Sequence, residues 1–294
     1  MNRSINSFLE EMIAGYKSGI KAEWDFELEN LTLGGALTLR CELEMLASYC
    51  KLQNIHINYI NHKFQSSSEE LLQMVLGSSE FTFNISNYEA TESVYPKALM
   101  NYLGDLSYFS SSRLTALSSY VHKKPLLNWK SSAEINLQIQ DLFDISTFAV
   151  IHLKNLGTFE TSRANMAIWV PLISEIAKAT SLPLLLIGDD DYPSELLSIN
   201  GVIHLKSFFV PLMSQLAITS KAKFFIGSAS GVASSAIYSD TPYLIFKDPR
   251  HHQTEMSREL GSSNHFPWAG RNQLILREEP TIERIRNFIE EIDS

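Results

Sequence analysis

The chain has 294 residues, 45% of them hydrophobic and 19% charged, with a formal net charge of −9. That length fits two compact domains, and the composition excludes global disorder. The acidic balance lacks the basic footprint of a nucleic-acid binder, although one local pocket can oppose it and hold a phosphate.

The first twenty residues read as an amphipathic helix with Phe8, Met12 and Ile13 on one side. They carry Glu10 and Glu11 and no long apolar core, so they are neither a secretory signal nor a membrane span. No later stretch reads as a span, while peripheral contact with a membrane surface stays open. A strand is expected over 26–31. The segment Thr32-Leu33-Gly34-Gly35-Ala36-Leu37 then opens a long helix, with Leu39, Leu43 and Leu46 at helical spacing. Cys41 and Cys50 fall on this helix, about 13 Å apart by its rise. That is too far for a disulfide, and reduced thiols fit a cytoplasmic protein. The alternation over 55–60 predicts a strand. Ser66-Ser67-Ser68, followed by Glu69 and Glu70, marks a helix start, with Leu71, Leu72 and Val75 inward. A strand follows over 81–85, helical pieces over 97–103 and 113–121, and a surface turn at Lys123-Lys124-Pro125. A domain boundary belongs between 128 and 148. We place it so that an N-terminal Rossmann-like domain covers 1–135 and a C-terminal one 136–294.

The second half alternates regularly. Strands are expected over 148–153, 184–188 and 202–205, and helices over 166–179, 194–199 and 210–220. The most informative stretch follows. Phe224 to Ile226 suits a buried parallel strand, Gly227 to Gly231 is a small-residue turn, and a helix opens at Val232. Asp240-Thr241-Pro242 stops that helix before a strand over 243–246. This is a βαβ unit whose turn lies at the carboxyl edge of the sheet, where open α/β folds bind ligands. Free N–H groups and a helix N-terminus favour an anion there. An amphipathic helix over 281–292 closes the chain. The fold class is α/β, with two Rossmann-like parallel-sheet domains.

At these residues the C-terminal half resembles the donor-binding domain of GT-B fold glycosyltransferases. It is most like the ADP-heptose lipopolysaccharide heptosyltransferases and related surface-polysaccharide transferases. The likeness is carried by Phe225-Ile226-Gly227-Ser228-Ala229-Ser230-Gly231 and by Thr241-Pro242-Tyr243-Leu244-Ile245-Phe246. Upstream it extends to Val150-Ile151-His152-Leu153-Lys154 and Leu186-Ile187-Gly188-Asp189. In the first half, Leu31-Thr32-Leu33-Gly34-Gly35-Ala36-Leu37 resembles the Gly-rich first loop of the acceptor domain. Gly35 stands where the common pattern is an aspartate, and Ser228 where many relatives have one. The resemblance implies two domains facing across a cleft, a nucleotide-sugar donor and a glycan or glycolipid acceptor of lipopolysaccharide or capsule type. It also implies metal-independent transfer without a cofactor, at the inner face of the membrane.

Ser228, Ser230 and the amides of Gly231 and Val232 are candidates for the donor diphosphate, with Ser234 one helical turn on. Lys154 is the candidate for neutralising leaving-group charge, the alternative being a solvated surface lysine. His152 reads equally as a satisfied half-buried histidine. Asp189-Asp190-Asp191 reads as a solvated turn and helix cap rather than a metal loop. His251 and His252, after Asp248-Pro249, and Arg250 sit at another carboxyl-edge loop. Gly34 and Gly35 mark the acceptor side. Candidate bases are Asp25, Asp105 and Glu42. Two other readings stay open: a two-Rossmann nucleotide-sugar epimerase, and a catalytically degenerate binding or assembly module.

Overall fold

A computed structural model describes residues 31–51, 66–88, 111–130, 145–156 and 160–294. It also gives the backbone of strands 25–27 and 54–60 and the single residues 10, 137, 139, 141 and 143. Apart from Glu10, the helix expected over the first twenty residues lies outside this set, as does the one over 97–103. The chain divides into two compact units, Met1–Lys130 and Ser131–Ser294.

The first unit runs β1 (Asp25–Glu27), α1 (Leu33–Cys50), β2 (Asn54–Ile60), α2 (Ser66–Gly77), β3 (Thr82–Tyr88) and α3 (Ser111–Val121). Its three strands pair in parallel in chain order. Parallel neighbours need a crossover, and α1 and α2 supply it. Thr32 caps α1, its Oγ1 accepting from the Gly35 amide at 3.1 Å, and Lys51 ends it in the left-handed region at φ 57°. The sequence suggests one apolar face, but α1 is buried continuously from Gly35 to Ala47. Arg40 and Glu44 make this tolerable. Both side chains are 0% exposed and pair at 2.6 Å, Arg40 Nε donating to Glu44 Oε1. Arg40 also donates to the Val75 and Asn128 carbonyls and to Ser78 Oγ, and its guanidinium lies 4.3 Å from the Trp129 ring centre. Glu44 accepts from Ser79 Oγ and from the backbone and side-chain nitrogens of Asn128. Every lone pair and N–H so used is one that burial would otherwise leave unpaired.

The second unit runs β4 (Ala149–His152), α4 (Met166–Thr180), β5 (Leu184–Leu186), α5 (Ser194–Leu197), β6 (Val202–His204) and α6 (Leu212–Ile218). It continues with β7 (Phe225–Ser228), α7 (Ser234–Ile237), β8 (Tyr243–Phe246), α8 (Gln253–Leu260), β9 (Gln273–Leu276) and α9 (Ile282–Asp293). Six parallel strands lie in the order β6-β5-β4-β7-β8-β9. The chain winds outward from β4 to β6, returns beside β4 as β7, and winds out the other way. The core includes Ile151, Trp169, Leu186, Ile226, Leu244 and Phe288. Among the described residues no helix is long and apolar enough to cross a membrane.

Two expectations are corrected. Gly227 and Ser228 belong to β7 and not to the turn, because their backbone pairs with Ile245 and Phe246 of β8. A Cβ on Gly227 would lie 2.1 Å from the His152 carbonyl oxygen, so the glycine serves strand packing. The helix expected from Val232 is only the four residues of α7, preceded by a turn. β9 and α8 are additions. The buried Gln273 that opens β9 masks it in the sequence, its side chain tied to the Ser239 and Thr241 carbonyls and the Gly270 amide.

Candidate functional site

In a doubly wound sheet the ligand crevice opens at the carboxyl edge, where the strand order reverses. Here that is between β4 and β7. The Lys154 amide, just past β4, donates to Ser228 Oγ at the end of β7 across 2.7 Å. The loop after β4 is held from its other side too. Asp190 Oδ1 accepts from the Asn155 and Leu156 amides at 2.8 and 2.7 Å, and the Tyr192 hydroxyl donates to the Leu153 carbonyl. Asp191 pairs with Lys206 at 2.8 Å. The aspartate run therefore fastens loops together and does not cap α5, whose N-cap is Pro193. Asp189 is exposed, and its carbonyl accepts from Lys206.

A cavity of about 460 Å³ opens at this edge, walled by segments that follow β4, β7, β8 and β9. Trp169 and Phe246 border it, packed edge to face at 5.7 Å. Ser228, only 7% exposed, lines it with Ala229. Arg163 enters from the segment before α4, and Lys247, Arg250 and His251 from the loop after β8. Glu160, Asp248, Glu278 and Glu279 supply negative charge. Part of that charge is neutralised locally. Arg250 lies on Asp248, which holds that carboxyl below the usual carboxylate range, and Glu278 pairs with Arg284 at 2.9 Å. The helix whose start borders the cavity is the fifteen-residue α4, capped by Asn165 Oδ1 on the Ala167 amide. A helix N-terminus beside arginine and lysine suits an anion.

The amides of Ser230, Gly231 and Val232 take no acceptor among the described residues, but none of the three lines the cavity. Ser230 Oγ accepts instead from the Ala233 amide, and Ser234 is buried away from the lining. Lys154 is half-buried and does not line the cavity, although its charge reaches His251. His152 is 1% exposed. Its Nδ1 donates to the Ile187 carbonyl at 2.9 Å, and its buried Nε2 has no partner among the described residues. Burial pushes its pKa down, against the pull of that carbonyl. In the first unit, Gly34 and Gly35 lie in the first turn of α1 rather than in a loop. Asp25 opens β1, Glu42 is buried on α1, and Asp105 lies outside the described residues. Among the described residues no three His, Cys, Asp or Glu side chains are grouped to hold a metal ion.

Sequence reasoning missed Arg163, Lys247, Glu278 and Glu279, which come from irregular segments. Arg163, two residues before the Asn165 cap, had the one usable signal: a cation at the start of a helix that follows a carboxyl-edge loop.

The fold and cavity define an α/β protein of the Rossmann type, with a mixed-charge crevice at the reversal of its larger sheet. A comparison with family models gives no match for the sequence, and one with curated proteins gives none either. Solved structures do match. The chain is similar to the E. coli heptosyltransferase WaaC with ADP, at 11% identity over 92% of this chain and 99% of that one, with a TM-score of 0.48. It is similar to a glycosyl transferase family 9 protein from Veillonella parvula, at 13% identity, 92% and 88% coverage and a TM-score of 0.47. It is also similar to the E. coli ADP-heptose lps heptosyltransferase II, at 10% identity, 98% and 94% coverage and a TM-score of 0.47.

Proposed function

We propose that this protein is a glycosyltransferase of the GT-B kind, moving a sugar from a nucleotide-sugar donor to a surface-glycan acceptor of lipopolysaccharide or capsule type. The observation that carries the reading is the carboxyl-edge cavity, where Ser228, Arg163 and Lys247 converge at the start of α4. The donor's diphosphate occupies that cavity. Arg163 and Lys247 meet its charge without a metal ion, and Ser228 gives a hydroxyl hydrogen. In this reading the anion sits deeper toward β7 than the turn 229–232 suggests from sequence. As the bond from the anomeric carbon to the phosphoryl oxygen breaks, its electron pair leaves with the diphosphate. Lys154 stabilises that growing charge. The acceptor hydroxyl attacks the anomeric carbon and loses its proton to a carboxylate of the first unit, for which Asp25 and Asp105 are the candidates. The acceptor lies on the side of Gly34 and Gly35, and the work is done on the cytoplasmic face of a membrane.

The test is turnover of a nucleotide-sugar panel with and without acceptor extracts. Release of nucleoside diphosphate that requires acceptor supports transfer. Appearance of a free epimer assigns an epimerase instead, and binding without turnover assigns a binding module.

A further inference from the structure

His251 lines the cavity proposed above for the diphosphate. It forms part of the cavity wall, with Nδ1 3.2 Å from Thr161 Oγ1 of the opposing segment and its ring edge-on to His252 at 4.1 Å. We infer that His251 reads the charge of the ligand, staying neutral in the free protein and taking up a proton when a phosphoryl group enters the cavity. This rests on the phosphate-binding reading of the cavity and adds a selectivity to it. A doubly charged phosphoryl ligand is favoured over a neutral sugar because only the former makes the imidazolium stable.

The charged groups around His251 come from several elements. Lys247, Asp248, Arg250 and His252 share its loop, Lys154 follows β4, Glu160 and Arg163 precede α4, and Glu278 and Glu279 follow β9. Asp248 is engaged with Arg250, and Glu278 with Arg284, so these carboxylates do little for the imidazole. Burial first, then Lys247, His252 and Lys154, push His251 down to about 4, with Asp248 opposing. Its protonated form is disfavoured by too little solvent and too many positive neighbours. An entering phosphoryl dianion reverses the second cause and offers the imidazolium a charge-assisted hydrogen bond. Opposite charge at contact distance raises a titration by about one to three pH units. Each unit is about tenfold in the linked affinity.

The experiment is a pH titration of the histidine ring signals in the full chain with labelled histidine, followed by NMR. The probe is inorganic pyrophosphate, with matched sodium chloride as control. H251N assigns the resonance. In chloride His251 stays neutral down to pH 5. At saturating pyrophosphate its midpoint moves into the range from about 5 to 7. K247M raises the midpoint of the free protein, since one positive neighbour is gone. If pyrophosphate shifts the Trp169 indole signal while His251 stays neutral at pH 5, this inference falls and the phosphate site stands. If pyrophosphate moves neither, both fall.

Discussion

Replacing Glu44 by alanine tests how α1 is allowed to be buried on all sides. The change removes the acceptor that pairs with Arg40 Nε and that takes Ser79 Oγ and both Asn128 nitrogens. It leaves a guanidinium with 0% side-chain exposure and no ion-pair partner among the described residues. Breaking one side of such a pair costs about 3–5 kcal/mol. Arg40 keeps its bonds to the Val75 and Asn128 carbonyls and its place over Trp129, which favours the lower half of that range. Hydrogen exchange on the full chain is the suitable assay, because two units need not unfold together. Peptides covering 33–50, 75–79 and 128–130 should exchange faster by about two to three factors of ten, at about 1.4 kcal/mol per factor. Peptides from 225–246, in the other unit, should not change. The double variant R40M/E44L should recover much of the loss, since an apolar pair of similar volume removes the buried charge altogether. A Glu44→Ala effect below one factor of ten, or a double variant worse than either single change, refutes the reasoning.

Five further outcomes are expected. Gly227→Ala forces a Cβ to within 2.1 Å of the His152 carbonyl oxygen, so its melting temperature should fall by at least the equivalent of the ~1–3 kcal/mol of overpacking. Gly77→Ala, with nothing within 4 Å of the added carbon, is the control and should be neutral or slightly stabilising. Lowering the pH should destabilise the protein through His152. The native state holds this residue below its unfolded value near 6.5, so below that pH the unfolded chain binds a proton the native one refuses. Stability is then lost as pH falls below 6.5, and a melting temperature that is flat between pH 7.5 and 5, or a slope unchanged in H152Q, contradicts this. Arg163→Ala should weaken nucleotide-sugar binding about tenfold or more by calorimetry, as loss of a charge-assisted contact implies. Lys154→Ala should lower kcat more than it raises KM, because its partner charge grows in the transition state; equal changes reduce it to a positioning role.

The sequence displays the second unit's sheet well where strands are uninterrupted apolar runs. The runs at β4, β5 and β8 are buried throughout, and burial on both faces is what such runs report. β9 was illegible because its first residue is a buried glutamine, whose hydrogen bonds are set by tertiary neighbours. The end of β7 was misplaced for a related reason: Gly227 and Ser228 carry turn propensity, yet backbone pairing to β8 holds them in the sheet. On α1, Arg40 and Glu44 sit four apart and look like a solvated ion pair; only the 75–79 and 128–129 segments, distant in sequence, bury them. Of the candidate site, Ser228 was visible because it ends an apolar strand run, and Arg250 and His251 because they lie in the loop after another; all three line the cavity. Arg163 and Glu278 were not, since their position depends on how irregular segments return to the sheet edge.

The hydroxyl of Ser228 has one further consequence. Its oxygen already receives the Lys154 amide, which leaves the hydroxyl hydrogen available to donate and polarises it. A carboxylate at this position would satisfy the same amide but bring a negative charge to meet an anionic guest. An alanine would spare the guest but strand the amide. If the cavity holds the proposed diphosphate, the same oxygen would anchor the strand junction and serve the ligand, so substitution could only trade one task against the other.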